Sequence, residues 1–592
     1  MIRYGYIILQ IVLLSLLSGC FLDARIERLN PTHVTSRELP PGSNTPTPSK
    51  PTVSFSNIAQ VVNEASGTTI VQVSLSQISD VDVSVDLSTK GSAGTPGDVI
   101  ASLSSPIVIP AGHLAAQISI QIVDDSDIEP WEELILTLNS STNEVLGIAS
   151  HAIKILDNDN GPISVFRSIG PSNISALASG GITSISIQNS IASFQENLPS
   201  NIGVGDVVQY DSDNDGLYDA IGFISVRLDS NRFYLQTSNG GSAIGTTAPS
   251  LTWKVYRAYT SLSDAQSGTE NTGILSGASC NLSCASLANF DTRTTGTDLV
   301  AGNLIYNFAG YADATDNTNV DLANWVTNNS HYIKIFAPNN LFEAGQSQRH
   351  QGFWASGGYE LSNTTSSYYP TLNVNSEDVR VEGIKISQGI DSGVEVVRVA
   401  ASTAAGTFYF DSCIVTRTVS TFIGGAINAI YVNSGGNINF RNFISNSIFY
   451  GVNNASNPGT TLVLNSTTVF YNNTILTANE GVIFYGPAIA KNNIVQGATA
   501  NAYSYYDSFV GDYNLANTVF TYFSSSSTND VVSASVHFMN ASSDDYRLRL
   551  TDVSAKGRGV DLSADANFAF ISDIQGITRS SPWDIGASGV SP

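Results

Sequence analysis

From about Tyr332 onward the chain returns again and again to one short theme: Val379-Arg380-Val381-Glu382-Gly383-Ile384-Lys385-Ile386, Phe408-Tyr409-Phe410-Asp411-Ser412-Cys413-Ile414-Val415, Tyr471-Asn472-Asn473-Thr474-Ile475-Leu476, Lys491-Asn492-Asn493-Ile494-Val495. Each copy alternates apolar and polar residues around an Asn or Gly, reaches an Ile, and is followed by a turn. Copies recur roughly every 15 to 35 residues, the range of solenoid repeats with insertions. A unit this short cannot bury its apolar side chains alone. It must stack on its neighbours, and Asn side chains in stacked copies can ladder along the pile. Composition agrees with strands. The chain has 49 Gly, 24 Tyr and 25 Phe but only 13% charged residues, the wrong material for long exposed helices. A hydrophobic fraction of 42% also argues against disorder throughout. The expectation is an all-β protein.

A length of 592 residues points to several domains. Residues 1–19 read as an export signal: Arg3, then an apolar run from Ile7 to Leu17 too short to span a membrane. The run ends in Leu17-Ser18-Gly19-Cys20, which resembles the bacterial lipobox. That resemblance implies lipidation of Cys20, and Phe21 rather than Asp after it implies the outer membrane, with the protein anchored through its lipid at the cell envelope. Residues 20–51 carry Pro-Thr, Pro-Pro-Gly-Ser and Thr-Pro-Thr-Pro-Ser with no apolar period, and are expected to form a proline-stiffened tether.

Period-two alternation fills residues 52–160, as in Val81-Asp82-Val83-Ser84-Val85-Asp86-Leu87 and Ile118-Ser119-Ile120-Gln121-Ile122, and predicts one β-sandwich. Its carboxylates gather at strand ends, where they repel one another unless a cation lies among them; the alternative is a solvated acidic loop. The order Asn63-Glu64-Ala65-Ser66-Gly67, Gly97-Asp98, Ile109-Pro110-Ala111-Gly112, Asp124-Asp125, Glu129, Glu132-Glu133, Leu156-Asp157-Asn158-Asp159 resembles the Calx-β domain. The resemblance implies a seven-stranded, immunoglobulin-like sandwich binding Ca²⁺ at one end. Glu64, Asp98, Asp124, Asp125 and Glu129 would supply side-chain oxygens, Asp127 a carbonyl or carboxylate, and Asp157 with Asp159 the closing ligands. Val99 and Asn158 depart from the family pattern, an aromatic being usual at the first position and a charge at the second.

Residues 161–329 alternate again and are expected to be a β-rich region packing on, or starting, the solenoid. Within them Asp211-Ser212-Asp213-Asn214-Asp215-Gly216-Leu217-Tyr218-Asp219 reproduces the first half of an EF-hand loop, with Gly222 where the bidentate carboxylate belongs. Two readings stay open: a weak Ca²⁺ turn using Asp211, Asp213, Asp215 and Asp219, or a plain Asp/Asn/Gly turn. Cys280 and Cys284 are spaced for a local disulfide, and Cys413 suits a buried thiol.

Residues 330–592 resemble the right-handed parallel β-helix of the pectate-lyase-like superfamily, ending in Asp573-Ile574-Gln575-Gly576-Ile577-Thr578-Arg579 and Trp583-Asp584-Ile585-Gly586-Ala587 as a C-terminal cap. Such folds host polysaccharide lyases and glycoside hydrolases, so carboxylate pairs matter. Asp391, Glu395 and Arg398, or Glu382 with Asp411, come nearest, and no catalytic residue is assigned. Arg349-His350-Gln351-Gly352-Phe353-Trp354 can face a glycan or cap the core. A net charge of −24 and a pI near 4.4 exclude a general nucleic-acid binder. The expected protein is a surface-exposed, Ca²⁺-binding structural or adhesive lipoprotein that presents its β-helix to a glycan or a surface protein. The alternative is a carbohydrate-active enzyme.

Overall fold

The computed structural model describes residues 50–93, 97–100, 103–126, 132–139, 145–159, 161–275, 289–291, 296–365, 368–390, 394–400, 405–417, 428–433, 439–452, 459–517 and 529–590. Over these residues the chain is almost entirely β-structure. The first part is a sandwich. One sheet orders Val145–Leu146, Thr52–Phe55, Thr68–Leu75, Ala115–Ile122 and Val99–Ile100, and the other orders Ala59–Asn63, Ser150–Leu156, Glu132–Leu138 and Leu87–Gly91. The alternation seen in the sequence decides which side chains go inside: Val71, Val73, Ile118, Ile120, Leu134, Leu136 and Ile153 share one dry core.

Beyond the sandwich, three parallel sheets are wound by one continuous chain. The first contains Ile163–Ile169, Leu304–Gly310, Ile333–Phe336, Val379–Glu382, Gly406–Asp411, Phe440–Ser445, Thr467–Tyr471, Ala488–Lys491 and Phe509–Asp512, in that order. A second sheet of nine strands runs from Thr315–Asp316 to Val531–Val532, and a third of seven from Val320–Leu322 to Tyr503–Tyr505. The chain visits first, second and third sheet in turn, then steps up one strand, which makes a parallel β-helix. Inward residues such as Phe408, Phe410, Ile386, Val415, Val432, Leu464 and Phe484 join a single buried column.

The recurring theme does not form a strand with a turn after it. It bends in the middle. Its Asn or Gly is the corner between first and second sheets and takes a positive φ: Gly383 (69°), Ser412 (56°), Asn446 (48°), Asn472 (52°), Asn492 (58°) and Tyr513 (56°). Asn tolerates this left-handed conformation better than most residues, which explains its recurrence there. The following residue points inward and builds a ladder. Asn473 Oδ1 accepts from the Ser447 amide at 3.1 Å, Asn493 Oδ1 from the Asn473 amide at 2.9 Å, and Asn514 Oδ1 from the Asn493 amide at 3.1 Å. Their side-chain amides donate to carbonyls of Ile444, Phe470 and Ala490. The ladder is fully buried and its amide groups are paired.

The coil starts before residue 330. Ile163–Ile169 pairs in register with Leu304–Gly310, and the chain between them makes an antiparallel sheet of seven strands, from Ala178–Ser179 to Trp253–Tyr256. Two buried arginines hold this insertion. Arg167, on the first strand of the coil, bonds Asp291 through Nε at 3.0 Å and Nη2 at 3.1 Å and lies 3.9 Å over the Phe223 ring. Arg257 bonds Asp206 at 2.8 Å and Asp313 at 2.9 Å and lies 3.6 Å over the Tyr311 ring. Burial opposes ionisation of Asp313, but the hydrogen bonds and charge of Arg257 prevail and hold its carboxyl below the usual range. The sandwich rests on the same region, where Ala59 and Ala152 share a buried cluster with Val226, Leu228 and Phe342.

The C-terminal segment does not sit on the end of the coil. It runs back along the corner: Asn472 Nδ2 donates to Asp584 O and Gly586 O at 3.2 Å, Asn492 Nδ2 to Val560 O at 2.8 Å, and Arg579 Nη2 to Asn446 Oδ1 at 2.9 Å. On one side Phe568, Trp583 and Leu562 cluster with Phe443, Val469 and Ile489, outward residues of the first sheet. On the other, Ile574, Ile585 and Leu548 cluster with Ile414, Ile448 and Ile494 of the second. Arg349 to Trp354 belong to this packing as well: His350 is buried, and Lys385 Nζ stands 5.1 Å over the Trp354 ring.

Two outcomes are expected. Asn493→Leu keeps the bulk but orphans the Asn473 amide and the Phe470 carbonyl, and should lower unfolding stability by about 2–4 kcal/mol, read as a shift of the urea midpoint at constant slope. His350 Nδ1 accepts from the Gly352 amide at 3.2 Å, and burial, with Arg349 and Lys385 nearby, depresses its pKa well below 6.5. The unfolded imidazole therefore takes up a proton that the folded one refuses, so stability is full above about pH 6.5 and falls as the pH drops below it. Melting temperatures should decline from pH 7 to 5.5, with a shallower slope in His350→Asn.

Candidate metal centre

The end of the sandwich nearest the β-helix collects the predicted acids. Asn63 closes the strand Ala59–Asn63 and caps a short 3₁₀ turn, Glu64–Ser66: its Oδ1 accepts from the Ala65 amide at 3.0 Å, and its own amide donates to Ser66 Oγ at 3.1 Å. The cap turns Glu64 inward, where it is 6% exposed. Facing it, the strand Ser150–Leu156 ends in Asp157, whose Oδ1 accepts from the Asp159 amide at 2.6 Å. Carboxylate oxygens of Glu64, Asp157 and Asp159 all lie within 4.8 Å of one another. Burial raises the Glu64 pKa, and the charges of Asp125 and Asp157 raise it further, against backbone hydrogen bonds from Asp125 and Asn158. Such a group is short of positive charge and could hold a metal ion.

Asp98, Asp124 and Asp125 stand around this trio. The Asp98 carbonyl accepts from the Val123 amide at 3.0 Å, which brings the Asp98 turn beside the Asp124 loop. Asn158, a departure from the sequence pattern, is what links the parts. Its Oδ1 accepts from the Ala65 amide at 2.8 Å and its Nδ2 donates to Asp124 Oδ1 at 3.1 Å, so one neutral side chain ties the Glu64 turn to the acidic loop. A charge there could not do both. Only the short Asn-Glu-Ala-Ser run signalled the cap. Asp127 and Glu129 lie outside the described residues, as do Cys20, Cys280, Cys284 and Asp391.

The second acidic turn connects Val207–Tyr210 to Ala220–Arg227. Asp211, Asp213 and Asp215 bring oxygens within 4.8 Å. Asp211, only 1% exposed, already accepts from the amides of Asn214 (2.7 Å) and Gly216 (2.8 Å). Asp219 points elsewhere and accepts from the amide (2.7 Å) and hydroxyl (2.8 Å) of Ser212. The carboxylates at this turn do the work of backbone capping, and positive φ at Asn214 (67°) and Gly216 (91°) gives it the shape of a tight hairpin connection.

The weighed catalytic pairs are engaged with neighbours. Glu382 and Asp411 are in register on adjacent strands, but Glu382 pairs with Lys334 at 2.7 Å, and Asp411 accepts from Ser412, Ser445 and Asn446. Glu395 pairs with Arg398. Cys413 is buried and free, its thiol pushed up by burial.

No family model matches the chain, and no curated protein sequence does. Among solved structures it is similar to the apo-form Calx CBD1 domain, with 21% identity and a TM-score of 0.18 over 19% of this chain and 99% of that one. It is also similar to CBD12 from CALX1.2, with 15% identity and a TM-score of 0.18 over 35% of this chain and 74% of that one. Against the E. coli chaperone DraB the identity is 9% and the TM-score 0.14, over 35% and 83% of the two chains.

Asp211→Ala should cost about 1–3 kcal/mol of stability whether or not Ca²⁺ is present, because it strips the Asn214 and Gly216 amides of their acceptor. Asp213→Asn, at an exposed carboxylate, should cost almost nothing; chemical denaturation of both variants separates a capping turn from a metal turn.

Proposed function

We propose that this chain is a lipid-anchored protein of the bacterial outer membrane, tethered through Cys20, whose Calx-β sandwich binds Ca²⁺ and whose pectate-lyase-like, right-handed β-helix is presented to a glycan or a surface protein. The observation that carries the metal part is the convergence of Glu64, Asp157 and Asp159 at the sandwich end, with Asp98, Asp124 and Asp125 around it. The donors are all hard oxygens, the chemistry Ca²⁺ favours, with no His or Cys in the group to select zinc or copper.

Position gives the ion a purpose. Asp157 and Asp159 close the sandwich, and within a few residues the chain enters the coil: the Gly161 carbonyl accepts from Asn303 Nδ2 at 3.0 Å, and the Ile163 amide donates to Asn303 O at 2.8 Å. A cation bridging Glu64 to Asp157 and Asp159 would stiffen the hand-over from tethered sandwich to β-helix. A presenting role for the coil is supported by Glu382, Glu395 and Asp411, which are engaged by Lys, Arg, Ser and Asn side chains.

The test is a calcium titration of the purified chain followed by calorimetric melting. With Ca²⁺ at about a hundred times its dissociation constant, the sandwich should gain about 2.7 kcal/mol, and chelator should remove it. The double substitution Asp157→Asn with Asp159→Asn should abolish the response. A melt indifferent to both calcium and chelator overturns the reading.

A further inference from the structure

The three faces of the coil differ in what covers them. The corner-hugging C-terminal segment takes up much of the outer side of the first and second sheets. On the third sheet the outward residues Asn373, Arg398, Tyr431, Val463 and Ile483 remain half-buried, and none of them belongs to a cluster with that segment. A groove of about 620 Å³ lies here. Val463 and Ile483, side by side on adjacent strands, form its floor; Tyr431 lies at one side, and Asn465, Tyr485 and Asp507 at the other.

Its chemistry is specific. Tyr485 and Tyr506 follow equivalent strands on successive coils, their amides bonded to Leu464 O and Phe484 O at 2.9 Å. Their rings stack 4.8 Å apart at 9°, yet stay 47% and 70% exposed. The facing sides of the rings cover one another, and the outer side of the pair, left in water on a rigid sheet, offers a flat apolar surface to a partner. Hydroxyls and a carboxylate stand beside it. The Asp507 carboxylate lines the groove with Tyr431, Thr460 and Tyr485. Among the described residues no Lys or Arg lines it.

We infer that this groove binds a neutral oligosaccharide, an inference that rests on the presenting role proposed above and names its partner. The C–H face of a pyranose stacks on the outer side of the Tyr485–Tyr506 pair, while ring hydroxyls donate to the Asp507 carboxylate. The Asp507 carboxylate repels uronates and other anionic glycans. The floor of Val463 and Ile483 accepts the opposite, apolar edge of the chain.

The full-length chain, titrated calorimetrically with hexasaccharides of glucose, mannose and xylose and with hexagalacturonate, tests this. At least one neutral hexasaccharide should bind in the millimolar range or tighter, and hexagalacturonate should not. Tyr485→Ala and Tyr506→Ala should each weaken binding about tenfold, the contribution of one aromatic face, while leaving the melting temperature unchanged because both rings are exposed. Binding that is indifferent to both substitutions, binding of hexagalacturonate alone, or no binding of any neutral hexasaccharide overturns the inference. Product analysis of the same mixtures keeps the two readings apart: a bound saccharide that is cleaved supports the groove and overturns only the presenting role.

Discussion

From Val379 onward each turn of this coil passes a tight corner between its first and second strands, and a corner inside a stack has backbone groups that water cannot reach. One residue must accept a positive φ, and the next must supply hydrogen bonds to the coils on either side. Gly383, Ser412, Asn446, Asn472, Asn492 and Tyr513 meet the first demand, and Asn473, Asn493 and Asn514 the second. An unpaired buried amide costs about as much as a good fraction of a domain's whole stability margin, so the ladder is what allows the stack to grow. Much else depends on that corner. Its Asn side chains also reach outward and seat the C-terminal segment, which covers apolar residues on two faces. The face left open is therefore a consequence of where the corner lies.

At the other end of the coil the organising force is electrostatic. A seven-stranded insertion between two paired parallel strands would be free to move on its connections, but Arg167 and Arg257 are buried against it with bidentate carboxylate partners and aromatic faces. Removing one partner of such a pair leaves a charge in a dry site, a penalty of about 3–5 kcal/mol. The pairs thus specify one docking geometry more than they add net stability. The sandwich leans on this fixed base through Ala59 and Ala152, and from its acidic end the chain runs through Gly161 to Asn303 at the entrance of the coil.

Several features were legible in the residues themselves. Period-two alternation marks the strands of the sandwich and the coil because a pleated strand has only two faces. The clustering of acids at strand ends was visible too, and Glu64, Asp157 and Asp159 do come together there. Other features were not legible, each for a physical reason. Nothing local announces that Ile163–Ile169 pairs with Leu304–Gly310, since sheet pairing across so long an insertion leaves no periodic trace. The corner was hidden because Asn serves equally in turns and ladders. Asn158 reads as a lost charge until its two hydrogen bonds are seen, and Asp219 reads as a ligand until it is found on Ser212.

By itself the sequence determined that the chain must be all-β, that its later part must stack copies of one theme, and that its acids gather where strands end. These follow from hydrophobic period and from charge, which are local properties. Only the tertiary structure decided which acids meet, which faces of the coil the chain covers with its own C-terminal segment, and where two tyrosines are left stacked in water. Those outcomes depend on residues far apart in the chain being brought within a few ångströms, and long-range packing is the one quantity that spacing and composition do not carry.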